Sequence, residues 1–287
     1  MNGQFIAVGQ DGLRISSANG ADWSEPQVGK EGQVYRCLAI GEGTCVAFGG
    51  FGGKNVIAIT RDGMQWEIQE KDAKYVKYVL TAHHAKGRFL ALGGDRTSVG
   101  NAEPFAITSP DGKNWSDYQS IAGKHNLYRL AYGNGIYVGV GMRGRRAVSP
   151  DGLQWKDAPD LKAIYTLVDI TFGNNLFVGV GLHGLRMTTT DGVNWSKPVY
   201  GEEGEHLNSI LWTGQQFVGV GQGATYVSPD GQKWERRPNQ DAPLMAAYGN
   251  GVFAGVHWKG RILLSRNAVD WKQVYKAPHH LEAIAFG

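Results

Sequence analysis

Residues 127–155 read LYRLAYGNGIYVGVGMRGRRAVSPDGLQW, and this stretch decides the fold. Apolar runs of six residues or fewer alternate with clusters of Gly, Asn and Asp, and the stretch ends on a Trp. Short apolar runs separated by such residues are typical of successive β-hairpins. No useful window shows the 3.6-residue periodicity of an amphipathic helix. The stretch therefore predicts antiparallel strands.

The same pattern recurs along the whole chain. Upstream blocks such as FLALG and FVGVG precede turns such as TRDGMQW, SPDGKNW and TTDGVNW, while the first and last copies carry Asn in place of Asp (SANGADW and SRNAVDW). A repeat of about 40 residues with four short strands is typical of a propeller blade. The sequence predicts an all-β fold, a seven-bladed β-propeller of four-stranded antiparallel blades. The seven copies are marked by Trp23, Trp66, Trp115, Trp155, Trp195, Trp234 and Trp271.

The two ends of the chain form one further copy of the repeat. The sequence finishes HLEAIAFG and begins MNGQFIAVG, and the joined ends match LYRLAYGNGIYVGVG at residues 127–141 with Met1 as the one extra residue. We expect the C-terminal strand to pair into the N-terminal blade and to close the ring, which removes free sheet edges. Residues 1–287 are then a single domain.

The turn before each Trp has a structural explanation. An Asp side chain can accept hydrogen bonds from backbone N–H groups of its own turn, the following Gly permits a positive φ, and the Trp covers the turn. We therefore expect bracing, and no catalysis, from Asp62, Asp111, Asp151, Asp191 and Asp230 with Trp66, Trp115, Trp155, Trp195 and Trp234.

These Ser/Thr-x-Asp-Gly-x-x-Trp turns resemble the Asp-box, or BNR, repeat. Sialidases and many bacterial propellers carry it, as does the photosystem II assembly-factor family, which is similar in blade number. The resemblance covers all seven repeats but departs from the longer Asp-box form by one residue between Asp and Trp. It implies a propeller in which the Asp residues are structural and ligands bind on the face opposite these turns, or in the channel mouth. This opposite face, which carries the loops between second and third strands, is called the upper face below.

Composition excludes several function classes. Charged residues are 19% and aromatic residues 11% of the chain, which excludes disorder. The net charge of +3 is too small to indicate a nucleic-acid partner, and no apolar run is long enough to span a membrane. We find no catalytic set, cofactor motif or diagnostic metal spacing, and the compartment stays open, with secreted and periplasmic locations among the alternatives.

Enlarged loops in blades two and three are the first candidate site. GGFGGKNV (49–56), GGDRTSVGNAEP (93–104) and the linker 67–79 are longer than their counterparts, and we expect them to meet in one sector of the upper face. Such loops either line a binding site or have drifted neutrally. The polar candidates are Lys54, Asn55, Asp95, Arg96, Asn101 and Glu103.

Arginines and histidines of the upper-face loops are the second candidate. Arg14, Arg146 and Arg186 occupy one repeat position, and a guanidinium group suits a carboxylate or phosphate. Solvated surface arginines are the alternative. Further candidates from the same loops are Arg143, Arg145, Arg261, His183, His257 and Trp258.

We predict a monomeric, non-enzymatic binding module or assembly scaffold, with a protein partner or a glycan bound on the upper face. The alternatives are a carbohydrate-active protein, lectin or sialidase-like glycosidase, that holds an anionic sugar through arginines, or a designed propeller without selected function. Cys37 and Cys45 flank the Gly-Glu-Gly turn of blade two, and strand register decides whether they can pair.

Overall fold

The computed structural model describes residues 3–72, 78–95, 101–161 and 165–287, which form seven antiparallel sheets. Two single 3-10 turns, Met142–Gly144 and Trp258–Gly260, interrupt the strands. Blade by blade, the strands are β1 (Phe5–Gly9) and β2 (Arg14–Ser17); β3 (Val34–Gly41), β4 (Thr44–Phe51), β5 (Lys54–Thr60) and β6 (Glu67–Asp72); β7 (Tyr78–Ala85), β8 (Arg88–Gly94), β9 (Phe105–Ser109) and β10 (Gln119–Ser120); β11 (Leu127–Gly133), β12 (Ile136–Gly141), β13 (Arg146–Ser149) and β14 (Lys156–Asp157); β15 (Leu167–Gly173), β16 (Leu176–Gly181) and β17 (Arg186–Thr189); β18 (His206–Trp212), β19 (Phe217–Gln222), β20 (Ala224–Ser228) and β21 (Glu235–Pro238); β22 (Met245–Gly249), β23 (Val252–His257), β24 (Arg261–Ser265) and β25 (Lys272–Lys276); and β26 (Leu281–Phe286), which returns to blade one.

The predicted seven-bladed ring is confirmed. The innermost strands contact one another in the order β26, β3, β7, β11, β15, β18, β22 and back to β26. Strand β26 pairs antiparallel with β1, with Phe286 opposite Phe5, so the C-terminal strand closes the ring as the joined ends predict. In blades one and five the fourth strand is reduced to the single bridges Arg14–Gln27 and Arg186–Val199.

Aromatic rings hold neighbouring inner strands together at the lower end of the channel. In six blades the ring at the end of the inner strand packs on a ring of the second strand with centroids 4.6–4.8 Å apart. In four of these blades the ring also covers a glycine of the preceding blade, since a Cβ on Gly133 would lie 2.2 Å from the ring of Phe172. Trp212 covers Gly173 in this way and packs against the core of blade six.

The turns before the tryptophans are braced by short hydrogen bonds. Asp111 Oδ1 accepts the N–H groups of Lys113 and Asn114, both at 2.8 Å, and Trp115 Nε1 donates to the carbonyl of Gly112 at 2.9 Å. The other four aspartates accept the corresponding pair of N–H groups. Bonds from the backbone N–H and side chain of Asn194 lower the pKa of Asp191 to about 2. Among the described residues, no helix is long and apolar enough to cross a bilayer.

Candidate binding site at the channel mouth

A β-bulge marks the upper end of six of the seven inner strands. In blade four, Leu127 pairs with Gly141 and Arg129 pairs with Val140, so the register shifts by one residue and Tyr128 is the bulge residue. In blade seven, Leu244 precedes Met245, the first paired residue of β22, and takes the same position. Together with Leu244 and Tyr128, the bulge ring consists of Arg36, Leu80, Val168, Asn208 and Glu282.

A glycine opposite each bulge makes this geometry necessary. A Cβ on Gly141 would lie 2.1 Å from the carbonyl oxygen of Asn126, and the five equivalent glycines would meet a backbone oxygen at 1.8–2.2 Å. Such contacts force the backbone to move, so only glycine permits the close approach. This explains the last glycine of the VGVG block. Blade seven has His257 at that position, and its inner strand begins only at Met245.

The bulge ring lines the mouth of the central channel on the upper face. Two adjoining cavities of about 320 and 380 Å³ share Arg129, Val168 and Glu282. Trp258 stands at the rim, 59% exposed, with its ring stacked on His280 at 5.1 Å and an interplanar angle of 11°. The remaining lining residues are Gln10, Arg36, Leu80, Tyr128, Asn208, Leu244, Met245 and Leu281.

Charges of both signs lie inside this mouth. Asp169 is buried below Val168, its carboxylate accepts the N–H groups of Ile170 and Ile210 at 2.9 Å, and the Arg129 guanidinium lies 3.9 Å away. Burial raises the pKa of Asp169, and the guanidinium and N–H groups oppose that rise. Deeper in the channel, burial lowers the pKa of His83 to about 4, so this side chain is neutral at pH 7. The mouth therefore combines apolar surface with two arginines and two carboxylates.

The arginines that share one repeat position lie between blades. Arg14, Arg146 and Arg186 are buried, and each stacks on the Trp of the next blade at 5.7–5.8 Å. Their N–H groups donate to backbone carbonyls, as Arg186 does to Gly184 at 2.9 Å and Tyr200 at 3.2 Å. These contacts favour a structural role. The alternative, in which the guanidinium groups lie in solvent, does not fit the buried side chains. A ligand-binding role for this set stays a prediction.

The other predicted residues of the upper face are spread around the ring. His183 lies 4.0 Å from Tyr165 in blade five, while His257 and Arg261 both contact Asp241 in blade seven. Of this group, only Trp258 lines the channel mouth. Arg143 is exposed beside blade four, and Arg145 is buried.

The enlarged loops of blades two and three are partly ordinary sheet. Residues 49–56, expected as a loop, form the end of the β4–β5 hairpin, because Gly52 and Gly53 both have positive φ and make a two-residue turn. Lys54 of this hairpin pairs with Glu70 at 3.2 Å. The Asp95 N–H donates to Ala102 at 2.8 Å, while Arg96 lies outside the described residues.

Sequence reasoning missed the most central residues. Arg36, Arg129 and Glu282 stand at or next to bulges, and the bulge residue follows an apolar or aromatic residue near the start of the inner strand, as in Leu127-Tyr128 and Leu281-Glu282. Aligning the seven copies at the last glycine of VGVG exposes this position.

The two cysteines are both free and buried. Cys37 is opposite Phe48 and Cys45 is opposite Ile40, so they are not cross-strand neighbours. Burial raises the pKa of the Cys37 thiol to about 12. No group of three His, Cys, Asp or Glu side chains suited to a metal occurs within the part of the chain that the structure describes.

Comparison with known structures supports the fold. The chain is similar to YCF48 bound to a D1 peptide, with a TM-score of 0.63 and 14% identity over 92% of this chain and 85% of that chain. It is also similar to YCF48 from Cyanidioschyzon merolae, with a TM-score of 0.60 and 14% identity over 84% of each chain. The predicted similarity to photosystem II assembly-factor propellers is thus confirmed at the level of the fold. No protein-family model matches the chain, and no curated protein matches it.

Proposed function

We propose that this propeller is a non-enzymatic scaffold that binds a peptide segment of a protein partner at the channel mouth. The observation that carries the proposal is the bulge ring, which brings one side chain from every blade to a single concave site. Apolar surface with a few convergent polar groups is the usual composition of a binding pocket.

The backbone under the ring suits recognition. In six blades the bulge is fixed by the glycine opposite, so these side chains project from rigid strands. Arginines and acidic groups at the mouth can pair with side chains or backbone of a bound segment, while Leu80, Val168 and Leu244 receive its apolar side chains. The exposed Trp258 is the residue type that most often dominates a protein interface.

Two further points belong to the proposal. One of the similar structures, YCF48, is bound to a D1 peptide, and a peptide in this mouth agrees with that. The hydrogen-bonded Asp turns support their assignment as Asp-boxes. We also expect the protein to be a monomer. The carbohydrate alternative has no supporting observation, because the three arginines on which it rested are occupied between blades.

A peptide library displayed on phage and selected on the full chain tests the proposal. We expect the selection to enrich a consensus peptide, and a synthetic copy to bind in fluorescence anisotropy. Trp258→Ala should weaken this binding by about tenfold or more, as truncation of a tryptophan that anchors an interface does. Arg36→Gln should also weaken it.

Met64→Ala is the matched control, because Met64 is also about half exposed but lies in an Asp turn on the lower face. It should leave binding unchanged. A selection that yields no binder, or binders equally sensitive to the Met64 substitution, would reject the channel mouth as the site.

A further inference from the structure

A second cavity lies outside the channel, on the upper face of blade four. It has a volume of about 510 Å³ and lies between the linker at 123–125 and the turn at 143–146. Its walls carry four cationic side chains against the carboxylates of Asp157 and Asp160, which leaves a net charge of +2 with His125 neutral. The cationic residues are Lys124, Arg143, Arg145 and Arg146.

Two of these cations are used to build the walls. Arg145 is buried and donates to the carbonyls of Ala122 and His125, and its Nε lies 2.9 Å from Asp157 Oδ1. Arg146 Nη2 donates to Pro159 at 2.6 Å. The linker and the turn are therefore tied together, and the charge of Asp157 is already balanced.

The other two cations have no such partner. Within the described ranges, neither the Lys124 ammonium nor the Arg143 guanidinium has a hydrogen bond or ion pair, and both side chains are exposed at the cavity. Between them, His125 Nδ1 is buried and lacks a hydrogen-bond partner among the same residues. Burial lowers the pKa of His125, and Arg143, Arg145 and Lys124 lower it further against the opposing Asp157. The potential at this imidazole is thus positive.

The equivalent turns of blades one and five do not present this arrangement of cationic side chains. Asp11 of blade one holds the position of Arg143 and pairs with His279 Nδ1 at 2.9 Å, and His183 of blade five packs on Tyr165. Leu13 and Leu185, both fully buried, hold the position of Arg145. Only Lys259 of blade seven matches Arg143 in charge and backbone, with φ of 59° against 55°.

From this geometry we propose that the blade-four cavity is a binding site for a small oxyanion, a phosphoryl or carboxylate group held by Arg143, Lys124 and His125. Arg143 supplies a planar fork and Lys124 a point charge, the two cationic groups that proteins use for such anions. The negative charge of the anion would offset the positive potential at His125 and favour its protonated form. The site is separate from the channel mouth and does not depend on the function proposed there.

Calorimetric titration of the full chain with inorganic phosphate, at constant ionic strength, tests the site, and a parallel titration with succinate separates phosphoryl from carboxylate specificity. We expect saturable one-to-one binding of at least one of the two anions. Arg143→Asn should weaken it by about tenfold or more, because the change removes a charged bidentate donor. Asn tolerates the left-handed backbone at this position, so the turn should be retained.

Lys259→Asn makes a matched change in the same kind of turn outside the cavity and should leave the affinity unchanged. The histidine NMR titration should also show a higher pKa for His125 with bound anion. Absence of saturable binding of both anions would overturn the site. An equal loss of anion affinity in the Arg143 and Lys259 variants would overturn the site too, since that result indicates non-specific attraction of the anion to positive charge.

Discussion

Two glycines of one strand allow a sharp test of how the channel mouth is built. Gly219 and Gly221 lie two residues apart in β19, and Gly221 is the one opposite the bulge at Asn208. A Cβ on Gly221 would lie 1.8 Å from the carbonyl oxygen of His206, whereas a Cβ on Gly219 would lie 3.5 Å from Leu207 Cδ1, an ordinary contact. Neither glycine has a positive φ. The same substitution, to alanine, should therefore have opposite effects.

The size of each effect follows from these distances. Gly221→Ala must separate two backbones by more than 1 Å, which adds overpacking of about 1–3 kcal/mol to the loss of a ladder hydrogen bond of about 1 kcal/mol. The expected loss of unfolding free energy is about 2–4 kcal/mol. Gly219→Ala keeps the native contacts and reduces the freedom of the unfolded chain, so it should stabilise by about 0.4–1 kcal/mol.

Guanidinium unfolding followed by tryptophan fluorescence measures both variants against the parent chain. We expect the denaturant concentration at the unfolding midpoint to fall for Gly221→Ala and to rise slightly for Gly219→Ala. The slope of the unfolding free energy against denaturant concentration should stay unchanged. If the two variants unfold at the same midpoint, the close approach at the bulge does not exist and the ring of projecting side chains is built differently.

Four further results are expected. Hydrogen bonds from Asn194 hold the pKa of Asp191 near 2, so the carboxylate stabilises the fold above the unfolded pKa of 3.8 and this stabilisation is lost as pH falls through the folded pKa. Asp191→Asn should flatten the pH dependence of unfolding in that window, and an unchanged pH profile would count against the role of this carboxylate. Arg145→Leu should lower the unfolding free energy by about 2–3 kcal/mol, since it removes the charged donor to two backbone carbonyls and the partner of Asp157, and an unchanged free energy would show that Arg145 does not tie the linker to the turn. Cys37 and Cys45 should not react with a thiol reagent until the protein unfolds, when two equivalents should appear, and fast native labelling would disprove their burial. Removing 281–287 should abolish cooperative unfolding, because it opens the ring, and a retained sharp transition would argue against closure.

The repeat was enough to predict the fold because it recurs in strand length, turn chemistry and ring closure. One part of the prediction needed the structure. Arg14 and its counterparts occupy one repeat position on the upper-face turns, but their side chains extend inward to the tryptophan of the next blade. Which neighbour a long side chain meets depends on the angle between blades, and strand spacing in the sequence does not contain that angle.

The channel mouth was predicted as a binding place, but most of the residues that line it were missed for a related reason. A bulge shifts the register by one residue, and the periodicity of two assigns the bulge residue to the wrong face. The final glycine of VGVG does indicate the bulge. It recurs at a position where no positive φ requires glycine, and it therefore marks a close approach of two backbones. Blade seven supports this interpretation, since His257 replaces the glycine and the inner strand begins only at Met245.

The distribution of variation among the blades gives a last argument for binding at the mouth. Residues that pack between blades recur with little change from blade to blade, as do the glycines opposite the bulges, because steric contact restricts the residue type at each of these positions. The bulge position carries five chemical classes in the seven blades: a cation at Arg36, an acid at Glu282, an amide at Asn208, a phenol at Tyr128 and aliphatic side chains in the other three blades. Packing does not require this diversity, since the same backbone supports all of these residue types. A symmetric scaffold that holds five chemical classes of side chain around one opening presents an asymmetric surface, and an asymmetric surface is what recognition of a single peptide segment in one orientation requires.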